Sequence, residues 1–81
     1  MNKTIKWQVK AVEYLSGYKL KLTFADGKIK IVDLESRLNK GILAQLQDIN
    51  LFRNVKIEFS SIAWDNGADI APEWLYENGV D

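Results

Sequence analysis

Eighty-one residues and 9.3 kDa give room for one domain and one core, at roughly 100–200 residues per domain, which excludes catalysis in a cleft between domains. A hydrophobic share of 47% beside 27% charged residues suits a folding chain rather than a disordered tail. With no cysteine and no histidine, the chain lacks a disulfide framework, a thiol nucleophile, an imidazole base and the usual zinc ligands, so contact with a partner, without enzymatic turnover or a cofactor, is the expected mode of action.

Eleven basic and eleven acidic residues cancel, but unevenly: residues 1–40 hold nine Lys/Arg against four Asp/Glu, a balance of +5, and residues 41–81 hold two against seven, a balance of −5. That polarity favours a charged partner or a second copy of the chain. Nowhere do about 18 apolar residues run together, nor is there a signal-peptide core, so a cytoplasmic protein without a membrane span is expected.

At the amino terminus Ile5, Trp7, Val9 and Ala11 share one strand parity, whereas Val12 and Tyr14 take the other. One flat strand cannot bury both sets, so a β-bulge near Lys10 to Val12 is expected. A strict two-residue hairpin at Ser16-Gly17 would instead set Glu13 against Leu20 on the core face, a costly place for an unpaired carboxylate. From Tyr18 to Phe24, Tyr18, Leu20, Leu22 and Phe24 alternate with Lys19, Lys21 and Thr23, the pattern of a strand with one wet face. Asp26-Gly27 reads as a type I′ turn that pairs Phe24 with Ile29 and Leu22 with Ile31. That register places Lys19, Lys21, Thr23, Lys28 and Lys30 on one outward face as a basic ladder.

After Asp33, Leu34, Leu38, Ile42 and Leu46 recur every fourth residue, the spacing of helical turns on a sheet. Gly41 divides them into a short turn and a helix over residues 41–47, and Asp48 is placed to cap a further turn ending at Phe52. Val55, Ile57 and Phe59 alternate with Lys56 and Glu58 as a fourth strand, Ile62 and Trp64 suggest a fifth, and Asn66-Gly67 is turn chemistry. Pro72 suits the first position of a helix over residues 72–78, with Ile70 packing on Leu75 as a staple and Gly79 at its end. The elements together predict a single α+β domain over residues 1–81, an antiparallel sheet of about five strands with short helices in the order β-β-β-α-β-β-α.

Candidate sites concentrate in residues 64–76. Asp65, Asp69 and Glu73 offer oxygen ligands suited to magnesium or calcium, but their spacing lacks calcium-loop order and each has a simpler place in a turn or at a helix start. No metal site and no catalytic carboxylate pair is therefore expected. Of the tryptophans, Trp7 and Trp64 follow strand parity into the core, whereas Trp74, on a two-turn helix with Tyr76, is the leading contact residue. The expected partner surface is the acidic carboxyl-terminal half, with Trp74 and Tyr76 as anchors and Asp65, Asp69 and Glu73 as rim. Nucleic-acid binding through Lys19, Lys21, Lys28 and Lys30 is the alternative. It is weakened because those lysines have no interleaved aromatic or arginine for stacking.

Tyr18, Leu20, Leu22, Phe24, Asp26-Gly27, Val32-Asp33-Leu34, Gly41, Leu46, Asp48, Phe52 and Val55, with the closing stretch Ile62, Trp64, Asn66-Gly67, Asp69-Ile70, Pro72-Glu73 and Leu75-Tyr76, resemble the domain of unknown function 2442 family of small bacterial proteins over nearly the whole chain. The resemblance implies an α+β fold and no established activity. Some members look fused to helix-turn-helix domains, for which 81 residues leave no room. Others are encoded beside a second small-protein family, domain of unknown function 4160, in arrangements similar to toxin–antitoxin pairs, which implies an accessory that binds another small protein.

Overall fold

The computed structural model describes residues 6–81, so the apolar position at Ile5 lies outside the described residues. Among the described residues six strands form two antiparallel sheets of three: β1 (Val9–Ser16), β2 (Lys19–Phe24) and β3 (Ile29–Asp33) in one, β4 (Lys56–Glu58), β5 (Ser61–Ala63) and β6 (Asp69–Ile70) in the other. Two 3-10 segments, Glu35–Arg37 and Gly41–Gln47, and a single-turn helix α1 (Ile49–Phe52) connect the sheets, and α2 (Pro72–Asn78) follows β6. The α+β class agrees with the sequence patterns; a single five-stranded sheet does not. The Val9 amide donates to the Ser60 carbonyl at 2.9 Å where the sheets meet, and the sixth strand is two residues long, too short to leave an alternation.

The β1–β2 register shifts between Val9 and Ala11, where the bulge was expected, and again between Tyr14 and Ser16. The first shift brings Val9, Val12 and Tyr14 to the core side and leaves Ala11 and Glu13 exposed. Tyr14, not Glu13, then faces Leu20, and Glu13 faces Lys21, whose ammonium lies 3.8 Å from its carboxylate. Strand pairing starts only at Val9, so Trp7 sits half-buried in the preceding turn and not in the core.

The β2–β3 hairpin corrects the expected register. Leu22 pairs with Lys30 and Thr23 with Ile29, one residue out of step with the apolar-to-apolar pairing. The cause lies in the turn. The Gly27 amide donates to the Phe24 carbonyl and the Phe24 amide to the Lys28 carbonyl, both at 2.9 Å, closing a three-residue loop with Gly27 at φ +89°. A type I turn followed by a left-handed glycine adds one residue to the loop that a type I′ turn lacks, and a one-residue slip exchanges the faces of β3. The β5–β6 hairpin repeats the device: Gly67, at φ +92°, donates to the Trp64 carbonyl, and the Trp64 amide donates to the Ala68 carbonyl.

Leu34, Leu38 and Leu46 are buried as the four-residue spacing predicts, but Ile42 is exposed. Residues 41–47 form a 3-10 helix, whose side chains eclipse every third residue; Leu43 and Leu46 therefore share the inward face and Ile42 turns out. Asp48 caps α1, its carboxylate accepting from the Asn50 amide at 2.9 Å. Phe52 is the hub of the core: Tyr18 meets its ring edge-on at 5.2 Å, Tyr14 at 6.0 Å, and Trp64 stacks on it at 5.7 Å. Ile70 and Leu75, the predicted staple, are both buried.

Past α2 the chain returns to the first sheet, where Ile31 and Val80 exchange backbone hydrogen bonds of 2.7 and 2.9 Å. Gly79 permits this approach, since a Cβ at that position would lie 2.9 Å from the Lys30 Cβ and 3.1 Å from the Leu75 carbonyl. Gly79→Ala is therefore expected to lower stability by about 1–3 kcal/mol, as overpacking does, read as a lower urea midpoint. Gly41→Ala, where open space surrounds the glycine, should cost only the strain of its left-handed backbone, about 1 kcal/mol.

Candidate partner-binding surfaces

Directly opposite residues in an antiparallel pair share a face. The outer face of the first sheet thus carries Lys19 beside Asp33, Lys21 between Glu13 and Ile31, and Thr23 between Ala11 and Ile29. It is not a basic ladder. Lys19 and Lys21 lie on it, but Lys30, opposite Leu22, points the other way, and Lys28 lies at the hairpin mouth across from Phe24. The isoleucines that the sequence pattern assigns to the core lie on the outer face instead, Ile29 at 50% and Ile31 at 38% exposure. With Leu15 and Val80 beside Ile31, this face holds a groove of about 400 Å³, with Lys19, Asp33 and Asn78 around it. A contiguous exposed apolar surface with a polar rim is the usual mark of an interaction site.

Tyr76 is occupied within the molecule. Its hydroxyl donates to Asp26 at 2.5 Å, Phe24 meets its ring edge-on at 5.0 Å, and the Lys30 ammonium lies 4.4 Å from the ring centre while donating to the Tyr76 carbonyl at 2.8 Å. These contacts fasten α2 to the β2–β3 hairpin. Trp74 is half-buried against the core, with the Arg37 guanidinium 4.4 Å above its ring. Asp65 accepts from Lys56 at 2.9 Å, and its carboxylate raises the Lys56 pKa. Asp69 and Glu73 are exposed. Among the described residues no group of three carboxylates is placed to hold a metal ion.

The Tyr76 hydroxyl bond, helped by the Lys28 amide, holds the Asp26 carboxyl below its ordinary 3.8, and the same bond raises Tyr76 above 10.0. A lowered carboxyl contributes stability above its unfolded pKa that is lost as pH falls through the folded value. A raised phenol contributes below its unfolded pKa and is lost as pH rises through the folded value. The pair should therefore act fully between about pH 4 and 10. Urea midpoints at about pH 3, 7 and 11 should differ most between wild type and Tyr76→Phe at the middle value, the gap narrowing toward both extremes. A gap independent of pH would contradict this, and comparison with the variant cancels the alkaline contribution of the Lys56–Asp65 pair.

Phe59, which the alternation assigns to the fourth strand, lies instead with Ser60 in the loop that closes the β4–β5 hairpin. Glu58 pairs with Ser61, leaving Phe59 and Ser60 as the loop at φ +53° and +63°. Phe59 is 94% exposed and borders a second cleft of about 270 Å³, with Glu58 and Asp69 at its rim. The sequence signal that could have separated Phe59 from the strand was weak: the alternation simply ends there.

Fold and surfaces define a small α+β protein with apolar, charge-rimmed faces. No helix among the described residues is long and apolar enough to cross a membrane. The chain belongs to the DUF2442 family of proteins of unknown function, whose model matches residues 9–81. It is also similar, at 35% identity and a TM-score of 0.64 over 73% of its length, to the crystal structure of a protein from Nitrosomonas europaea ATCC 19718 named "Putative DNA Binding Protein". The chain spans 41% of that protein. No curated protein is significantly similar to it.

Proposed function

We propose that this chain is a protein-interaction module that acts by docking a small protein, such as one encoded beside it in an antitoxin-like arrangement, and not by catalysis. The observation that carries this reading is the β2–β3 register, which turns Ile29 and Ile31 outward and sets Ile31 beside Leu15 and Val80. Burying those side chains against a partner recovers roughly 25 cal/mol for each Å² of apolar surface removed from water, and Lys19, Lys21, Glu13 and Asp33 provide a rim of both signs to fix orientation. The acidic surface around Trp74 is the weaker docking candidate, because Tyr76 is engaged internally and Arg37 covers one face of the indole. The test is capture from the source cell by immobilised chain: a partner held in near-stoichiometric amount by wild type and by Trp74→Ala, but lost on Ile31→Lys. Loss on Trp74→Ala with retention on Ile31→Lys would move the interface to α2.

A nucleic-acid role is the second reading, favoured by the name of the Nitrosomonas protein. The four lysines do not form one face, Lys19 and Lys21 lying on the outer side and Lys28 and Lys30 across from Phe24 and Leu22, and most of that protein lies outside the shared region. A low-salt gel shift that is abolished by Lys19→Glu with Lys21→Glu would favour it, and no retardation would remove it.

A further inference from the structure

A two-residue loop with both residues left-handed is a type I′ turn, which ordinarily uses Asn-Gly because side chains with a bulky Cβ resist that backbone. Phe59 and Ser60 hold it here at φ +53° and +63°. The Phe59 ring, 94% exposed, recovers little of that strain through packing among the described residues. The Ser60 carbonyl is used internally, accepting from the Val9 amide, but a bulky aromatic at position 59 has no such use and points outside the molecule.

Beside the ring lies the cleft of about 270 Å³, floored by the small side chains of Ser61 and Ala63 and walled by Ala71 and Pro72. Asp69, on its rim, makes no ion pair among the described residues. Glu58 lies 3.8 Å from Lys56, which Asp65 holds more closely at 2.9 Å. An occupant thus meets an aromatic face and two carboxylates. A second copy docked by the same surface would set Glu58 and Asp69 against their equivalents, a repulsive arrangement. A guanidinium satisfies both features: it stacks flat on an aromatic ring and donates in a planar fork to carboxylates, which an ammonium does less well.

The geometry points to a second docking site, separate from the outer face of the first sheet, in which Phe59, Glu58 and Asp69 receive an arginine-bearing segment of another protein. Phe59 stacks on the guanidinium, the carboxylates accept from it, and the apolar residues flanking the arginine lie along Ala71 and Pro72.

The probe is the capped peptide Gly-Leu-Arg-Leu-Gly, with Gly-Leu-Glu-Leu-Gly as control, titrated into the isotopically labelled full chain and followed by amide chemical shifts. The arginine peptide should give saturable shifts centred on Phe59, Asp69 and Ala71, and the glutamate peptide none. Phe59→Asn with Ser60→Gly supplies residues suited to the turn, so it should melt at the same or a higher temperature while binding the arginine peptide about tenfold more weakly or worse. Asp69→Asn should weaken binding and flatten its salt dependence. Undiminished binding by the turn variant, equal shifts with both peptides, or no saturable shift would each overturn the assignment.

Discussion

Trp64→Ala is expected to destabilise the protein by about 4–6 kcal/mol. The indole is buried to 2% exposure, stacks on Phe52 at 5.7 Å and donates from Nε1 to the Phe52 carbonyl at 2.8 Å. It therefore joins β5 to the end of α1 by packing and by a hydrogen bond together. Truncating a buried tryptophan costs about 3–5 kcal/mol, and a carbonyl stranded without its donor adds about 1 kcal/mol or more. A chain of this length is stable by only about 4–12 kcal/mol, so the loss takes from about a third to all of what exists. Trp64→Phe keeps much of the stack and loses the hydrogen bond, for a smaller cost of about 1–3 kcal/mol. Far-ultraviolet circular dichroism across a urea series measures both without relying on Trp7 and Trp74 fluorescence. A Trp64→Ala midpoint close to wild type would contradict the core described here.

The second large effect is on binding, with the fold left intact. Ile29→Lys with Ile31→Lys places charge on the outer face of the first sheet, at positions already half in water and flanking Lys21 and Thr23. Exposed substitutions of this kind alter stability by about 0.5 kcal/mol or less each. A partner seated over the groove would lose an apolar anchor and meet desolvated ammonium groups, so affinity should fall by about a hundredfold or more, as loss of a central anchor does. Isothermal titration of the partner, beside the urea midpoint of the same variant, separates the two quantities. If the midpoint drops with the affinity, the isoleucines are core residues after all and the interface lies elsewhere.

Local chemistry was legible wherever one signal dominated. The alternation of Lys19–Phe24, the clash of parities that forces a bulge after Val9, the Asp48 cap and the Pro72 start of α2 all stand in the structure. What escaped were features set by a single residue of phase. Asp26-Gly27 is compatible with both a two-residue and a three-residue loop, and the apolar-to-apolar pairing of Phe24 with Ile29 favoured the wrong one. The three-residue loop is held by the Asp26 carboxylate accepting from the Lys28 amide at 2.9 Å and by a tertiary contact, the Tyr76 hydroxyl on the same carboxylate, which lies fifty residues away and leaves no trace in a local window. Ile42 misled for a related reason: a 3-10 helix and an α-helix place the fourth residue on different faces, and no residue type in the segment decides between them. Phe59 was misread because exposure of a phenylalanine runs against its ordinary preference for burial. The uneven charge of the two halves was legible, but the signs mix within each sheet: Glu13 and Asp33 lie beside Lys21 and Lys19 on the first, and Lys56 lies beside Glu58 on the second.

The proposed role of the chain as a docking module is tested most directly by amide mapping on the isotopically labelled protein, free and bound to the partner it captures. The largest changes are expected at Leu15, Lys19, Ile29, Ile31 and Val80. Changes confined to Glu73, Trp74 and the rest of α2, with those five unmoved, would contradict the docking face.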